Sequence, residues 1–127
     1  PLSRGIRSLV GVENMFGHHW ERSQARREAS RKRADRMKAA RELGTHTDFE
    51  WFALALVIPY CARCGASDKK IGKDHIVPIC HGGDDSIENI QPLCQSCNSA
   101  KGPDDTDHRP PDWREKVAAI LEFSRTQ

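Results

Sequence analysis

The apolar positions along the chain change period several times, and those changes predict most of its elements. From Trp20 to Leu43 there is neither Pro nor Gly, good helix formers dominate, and Gly44 follows as a stop, so a long helix is predicted. Its apolar residues, Trp20, Ala25, Ala29, Ala34, Met37, Ala40 and Leu43, make only a thin stripe, so this helix can bury little by itself. Thr47 and Glu50 have the spacing of a capping box and open a second helix, from Asp48 to about Ile58. Its Phe49, Trp51, Phe52, Leu54, Leu56, Val57 and Ile58 mark it as core. Pro59 and Tyr60 end it.

Two short strands are expected next, over 70–73 and 74–79, then a helical turn capped by Ser86 and running through Asn89. A further helix starts near Cys94 and stops by Gly102. Residues 103–112 hold four Asp and three Pro and read as a linker. Trp113, Val117, Ile120 and Leu121 then repeat at helical spacing, a terminal amphipathic helix expected to pack on the body. Residues 1–17 show no sustained period and are expected to be poorly ordered. The organisation is thus a basic helical arm over 1–44, a core over 45–102, and a linker with a packing helix over 103–127.

Composition narrows the class. A chain of 127 residues, 37% apolar, with eight aromatics suits one small domain with polar extensions, and the helices and short strands expected above make its class α+β. The longest apolar run, Trp51 to Tyr60, falls short of the ~20 residues a membrane span needs, and no secretory-type leader is seen. No membrane partner is expected, and the expected setting is cytoplasmic, that of a bacterial or phage-type intracellular protein. The chain begins at Pro1, so its native N-terminus is left open.

The net charge of +2 conceals a polarity. Residues 18–44 carry nine bases against four acids, while residues 45–127 carry nine bases against thirteen acids. The first stretch is +5 and the second −4, which suggests a polyanion-seeking arm on a body that holds something cationic. Arg22, Arg26, Arg27, Arg31, Lys32 and Arg33 are the candidate nucleic-acid contacts there. No aromatics interleave with them, so stacking on single strands is not indicated.

The cysteines carry the strongest signal. Cys61 and Cys64 form one C-x-x-C pair, Cys94 and Cys97 another, with 29 residues between the pairs. Two such knuckles complete a closed tetrahedral four-cysteine zinc site. The spacer exceeds the ~15–20 residues of the simplest zinc ribbon, so it should hold structure of its own. Disulfides fit poorly with a chain lacking secretory features, and a redox motif needs one pair rather than two. Cys80 is expected to be an ordinary small side chain, not a ligand.

Inside this framework lie Asp74-His75-Ile76-Val77-Pro78, Gly82-Gly83, Glu88-Asn89-Ile90-Gln91-Pro92-Leu93-Cys94, and Cys97-Asn98-Ser99-Ala100-Lys101-Gly102. Together, over about residues 60–102, they resemble the HNH endonuclease family. The resemblance implies a treble-clef-like ββα-metal core, a two-stranded sheet and a helix around one divalent cation. It implies that His75 is the general base, that Asp74 ligates the metal, and that Asn89 braces the loop through backbone hydrogen bonds. Asn98 stands where the family often has a metal-binding His. An H-N-N variant with a neutral amide ligand points to Mg²⁺ or Mn²⁺ as catalytic ion, beside the structural Zn²⁺. Lys101 matches a basic position that could meet the scissile phosphate, and His81 could contact phosphate or assist the metal.

The chemistry agrees with those roles, since a phosphodiester repels hydroxide and its hydrolysis needs both a positioned cation and a base. Adjacent strand residues face opposite ways, so for Asp74 and His75 to act together the strand must end, bulge or twist there. The expected activity is metal-dependent hydrolysis of DNA, by nicking duplex with weak sequence specificity. The competing class is a catalytically silent zinc-knuckle module that only binds nucleic acid; a base beside two oxygen ligands favours the enzyme.

Overall fold

The computed structural model describes the backbone from Leu2 to Gln127 and the side chains from His18 onward. Contacts divide the chain into two units, residues 1–35 and 36–127. Helix α1, Leu2–Leu43, runs through the boundary between them. It reaches back across the segment for which no period was found. Glycines at 5, 11 and 17 each weaken a helix by roughly 1 kcal/mol, and without an internal Pro nothing stops it. Along its first unit the bases from Arg22 to Arg33 are exposed, and Glu28 reaches Lys32 at 3.6 Å, one helical turn away.

In the second unit the last turns of α1 bury Ala40, and Gly44 closes the helix with its N–H on the Ala40 carbonyl at 3.2 Å. Helix α2, Asp48–Val57, opens on the expected capping box. The Glu50 N–H donates to Thr47 Oγ1 at 3.0 Å and the Thr47 N–H to Glu50 Oε1 at 2.9 Å. Ala53 and Leu54 from this helix and Ile58 just after it pack with Ile90 and with Trp113 and Val117 of the terminal helix α4, Trp113–Arg125. Burying side chains of this size stabilises by roughly 1.5–3 kcal/mol each, so this cluster is what holds the terminal helix down. A second, smaller cluster holds Cys61, Leu93, Cys94 and Cys97.

The sheet has two antiparallel strands, β1 at Ile71–His75 and β2 at Ile90–Cys94, in a register that opposes Ile71 to Cys94 and His75 to Ile90. The second strand is therefore not 74–79, as the local pattern suggested. Pro78 ends the extended run and a 3-10 turn, Ile79–His81, takes its place. The chain returns to the sheet only after a second 3-10 turn, Ile87–Asn89; Ser86 precedes it as expected but does not cap it with its side chain, its hydroxyl donating instead to Asp84 Oδ1 at 2.8 Å. Helix α3, Gln95–Lys101, follows β2 directly and ends at Gly102.

The stretch from 103 to 112 does more than link. Arg109 is buried, stacks 3.9 Å over the Trp113 ring, and donates to the carbonyls of Ile87, Glu88 and Ile90 at 2.8–3.0 Å. Asp107 holds the same guanidinium at 2.9 Å. A short Asp-rich segment is thereby tied down by one arginine that satisfies three carbonyls.

Candidate active site and zinc centre

The sulfurs of Cys61, Cys64, Cys94 and Cys97 lie within 4.8 Å of one another, and Cys64 Sγ is 3.9 Å from Cys94 Sγ. A tetrahedral zinc with Zn–S near 2.3 Å has sulfur–sulfur edges of ~3.8 Å, so the donor set fits that ion. Gly65, at φ +78°, takes the left-handed conformation that turns the first knuckle, and its N–H donates to the Cys61 carbonyl at 2.8 Å.

The thiols respond oppositely to their surroundings. Burial pushes the Cys61 thiol up, but hydrogen bonds from the backbone around Cys64, Cys94 and Arg63 outweigh it and bring the group down to about 6. Burial, then the neighbouring cysteines Cys94, Cys64 and Cys61, push Cys97 up to about 12. Four thiols this close cannot all ionise without a cation among them, and a bound divalent ion removes that competition. Cys80 lies exposed in the first 3-10 turn and takes no part.

The other end of the sheet carries a different arrangement. β1 stops at His75, so the alternation that would separate Asp74 from His75 lapses where both are needed. Asp74, His75, Asn98, Lys73 and Lys101 line one cavity of about 220 Å³. Asp74 is buried, and its Oδ2 accepts from Gln91 Nε2 and from Lys101 Nζ, both at 2.9 Å. Its Oδ1 has no hydrogen-bond partner among the described residues, and neither has the Asn98 side chain, which is exposed on the first turn of α3. Two free oxygens beside one imidazole suit a hard divalent cation.

Asn89 spans the loop. Its Oδ1 accepts the Val77 N–H at 2.8 Å, while Nδ2 donates to the Val77 carbonyl at 3.1 Å and to the Asp84 carbonyl at 2.8 Å. Gly83 is needed for this, because a Cβ there would collide with the Val77 carbonyl oxygen and crowd Asn89 Nδ2 at 2.9 Å.

Lys101 faces inward. Its side chain is only 5% exposed, and its three protons go to Asp74 Oδ2, the His75 carbonyl at 2.6 Å and the Ile76 carbonyl at 2.8 Å. None is left for a phosphate; the lysine ties the end of α3 to the end of β1 and fixes the Asp74 carboxylate. His81 is exposed in the 3-10 turn and does not line the cavity.

Four polar residues enter that sequence reasoning passed over. Gln91, fully buried, donates to Asp74 Oδ2 and accepts the His108 N–H at 2.9 Å, which ties the 103–112 segment to the site. Asp85, also buried, meets His75 Nε2 at 2.9 Å and accepts from Thr45 Oγ1 at 2.8 Å. His46 Nδ1 donates to the Asp85 carbonyl at 2.7 Å. Only the alternation of β2, which turns Gln91 toward its partner Asp74, offered a signal; Thr45, His46 and Asp85 are joined by the fold alone.

No curated protein and no solved structure matches the chain. Residues 61–104, the segment that holds both knuckles, Asp74, His75, Asn89 and Asn98, match the family model for HNH endonuclease, and their four cysteines, positioned as a zinc site, are consistent with a zinc-knuckle HNH segment.

Proposed function

We propose that this protein is a metal-dependent HNH endonuclease that hydrolyses DNA phosphodiester bonds, nicking duplex with weak sequence specificity. The family match suggests a nuclease-type function. The observation that carries the finer reading is the convergence of His75, Asp74 and Asn98 on one cavity, with an oxygen of each of the latter two free. In this reading Asp74 Oδ1 and Asn98 Oδ1 hold one Mg²⁺ or Mn²⁺. When bound, that ion supplies positive charge to the phosphate and the departing oxygen.

The rest of the chemistry belongs to the chain. Asp85 accepts a hydrogen bond from His75 Nε2, and in the neutral ring so held the Nδ1 lone pair takes a proton from the attacking water. Lys101 and Gln91 hold the Asp74 carboxylate from its other oxygen, so Oδ1 keeps its place. Asn89 fixes the loop that leads from Val77 to Asp84.

The arm supplies affinity. Arg26, Arg27, Arg31 and Arg33 are exposed and make no ion pair among the described residues, so their charge is available to phosphates. The test is supercoiled plasmid incubated with zinc-loaded protein in Mg²⁺ or in EDTA. Nicked circles that appear only with Mg²⁺ are expected. Binding without any cleavage would identify the catalytically silent module instead.

A further inference from the structure

We propose that Asp85 is a positioning residue for His75, and that Thr45 and His46, at the junction of α1 and α2, hold it there. The inference rests on His75 being the general base. It extends the working site to residues outside the segment that carries the family match.

Ten residues separate Asp85 from His75 in the chain, and the loop between them folds back so that Asp85 Oδ1 meets His75 Nε2 at 2.9 Å. A carboxylate only accepts, so the contact places a ring proton on Nε2, and in the neutral imidazole the bare nitrogen is then Nδ1. The same carboxylate is tethered on its far side: Oδ2 accepts from the Thr45 hydroxyl at 2.8 Å. Its backbone is tethered as well. The Asp85 N–H donates to the Gly44 carbonyl at 2.9 Å and the Asp85 carbonyl accepts from His46 Nδ1 at 2.7 Å. Thr45 and Asp85 thereby form an isolated parallel bridge between the α1–α2 junction and the loop.

Four contacts on one buried aspartate exceed what a loop turn needs. Two of them restrain the carboxylate itself: Oδ1 meets the His75 imidazole and Oδ2 the Thr45 hydroxyl, with His46 Nδ1 3.6 Å from Oδ2. Burial alone would raise the Asp85 carboxyl, but the hydrogen bonds from His75 and Thr45 and the nearby imidazoles of His46 and His75 keep it below the ordinary value and ionised. When His75 Nδ1 takes a proton, the ring becomes a cation that donates from both nitrogens, and the Asp85 charge is already in place to meet it. Orientation and tautomer, rather than proton transfer to Asp85, are what the arrangement supplies.

The experiment combines ring-nitrogen NMR of the full chain with nicking kinetics of Asp85→Ala, Thr45→Val and Thr45→Ser. The wild type should show His75 as the Nε2–H tautomer, and Asp85→Ala should convert it to an exchanging mixture. Asp85→Ala should also lower turnover by about 10- to 100-fold while leaving the half-saturating DNA concentration within about twofold. Thr45→Val should lose part of the turnover, and Thr45→Ser, which keeps the hydroxyl, should restore it. An Nδ1–H tautomer in the wild type overturns the proposal. So does an Asp85→Ala chain whose tautomer and turnover are unchanged. Should Asp85→Ala fail to fold, equal turnover of Thr45→Val and wild type overturns it by itself. A wild type that nicks nothing sinks the nuclease reading, while the tautomer measurement still decides the role of Asp85.

Discussion

The two ends of one short hairpin hold two kinds of site. At the end where Ile71 faces Cys94, four identical soft donors converge, three of them buried. At the end where His75 faces Ile90, the donors are mixed, a carboxylate, an amide and an imidazole, and they line an open cavity. The first arrangement satisfies every position around a tetrahedral ion and leaves no room for a substrate. The second leaves oxygens free, which is what a site must do if another molecule is to complete it. The five residue pairs of the sheet therefore lie between a closed donor set and an open one, and the function proposed above assigns ligand chemistry to the open end.

The sharpest way to break that comparison is to attack the closed end. Cys94→Ser should unfold or aggregate the chain, since binding zinc contributes on the order of 10 kcal/mol to folding in such sites. Cys80→Ser should leave the melting curve and metal content unchanged. Metal analysis with circular dichroism reads both, and a folded, zinc-free wild type would contradict the assignment.

At the open end, substitutions should cost activity and spare the fold. His75→Ala should lower nicking by about 10²- to 10⁴-fold, with zinc content and DNA binding retained. Asp74→Ala should abolish the Mg²⁺-dependent activity, while Asn98→His should keep some activity and shift preference toward softer ions such as Ni²⁺. A metal panel on these variants checks the assignment; an unchanged panel for Asn98→His together with full activity of Asn98→Ala would take Asn98 out of the metal site.

A third test leaves both ends intact. Removing residues 1–35 deletes eight bases and four acids and spares the turns of α1 that bury Ala40 and support Gly44. The slope of log affinity against log salt should flatten by ~0.9 for each phosphate that the shortened chain no longer neutralises. Turnover at saturating DNA should persist. An unchanged slope would move the source of affinity to Arg63, Lys69, Lys70 and Lys73 on the body.

The smallest effect concerns pH. Burial raises the Asp107 carboxyl, but the hydrogen bonds and charge of Arg109 hold it below its ordinary value. The Arg114 hydrogen bond does the same for Glu88. Both groups bind fewer protons folded than unfolded, so their contribution is present above pH ~4 and is lost as pH falls through their depressed folded values. Acid also releases zinc, so the informative quantity is the melting-temperature gap between wild type and Asp107→Asn. It should close as pH drops from 6 toward 3.

Local sequence determined a good deal of this. The Thr47–Glu50 capping box, the stop at Gly44, the amphipathic α4 and the two C-x-x-C knuckles depend on residues within one or two turns of each other, where spacing alone fixes which groups can meet. The ordered motif from Asp74 to Gly102 likewise pointed to the family found over residues 61–104. Tertiary structure decided the rest. The second strand lies at Ile90–Cys94, because Pro78 ended the nearer candidate and pairing rewarded the farther one. Lys101 turned inward because two carbonyls and Asp74 converge on its ammonium. Arg109 made a structural strut of an apparent linker. Asp85 came to His75 through Thr45 and His46, 40 and 39 residues away, a distance across which no periodicity carries information; only the folded chain brings those groups to hydrogen-bonding range.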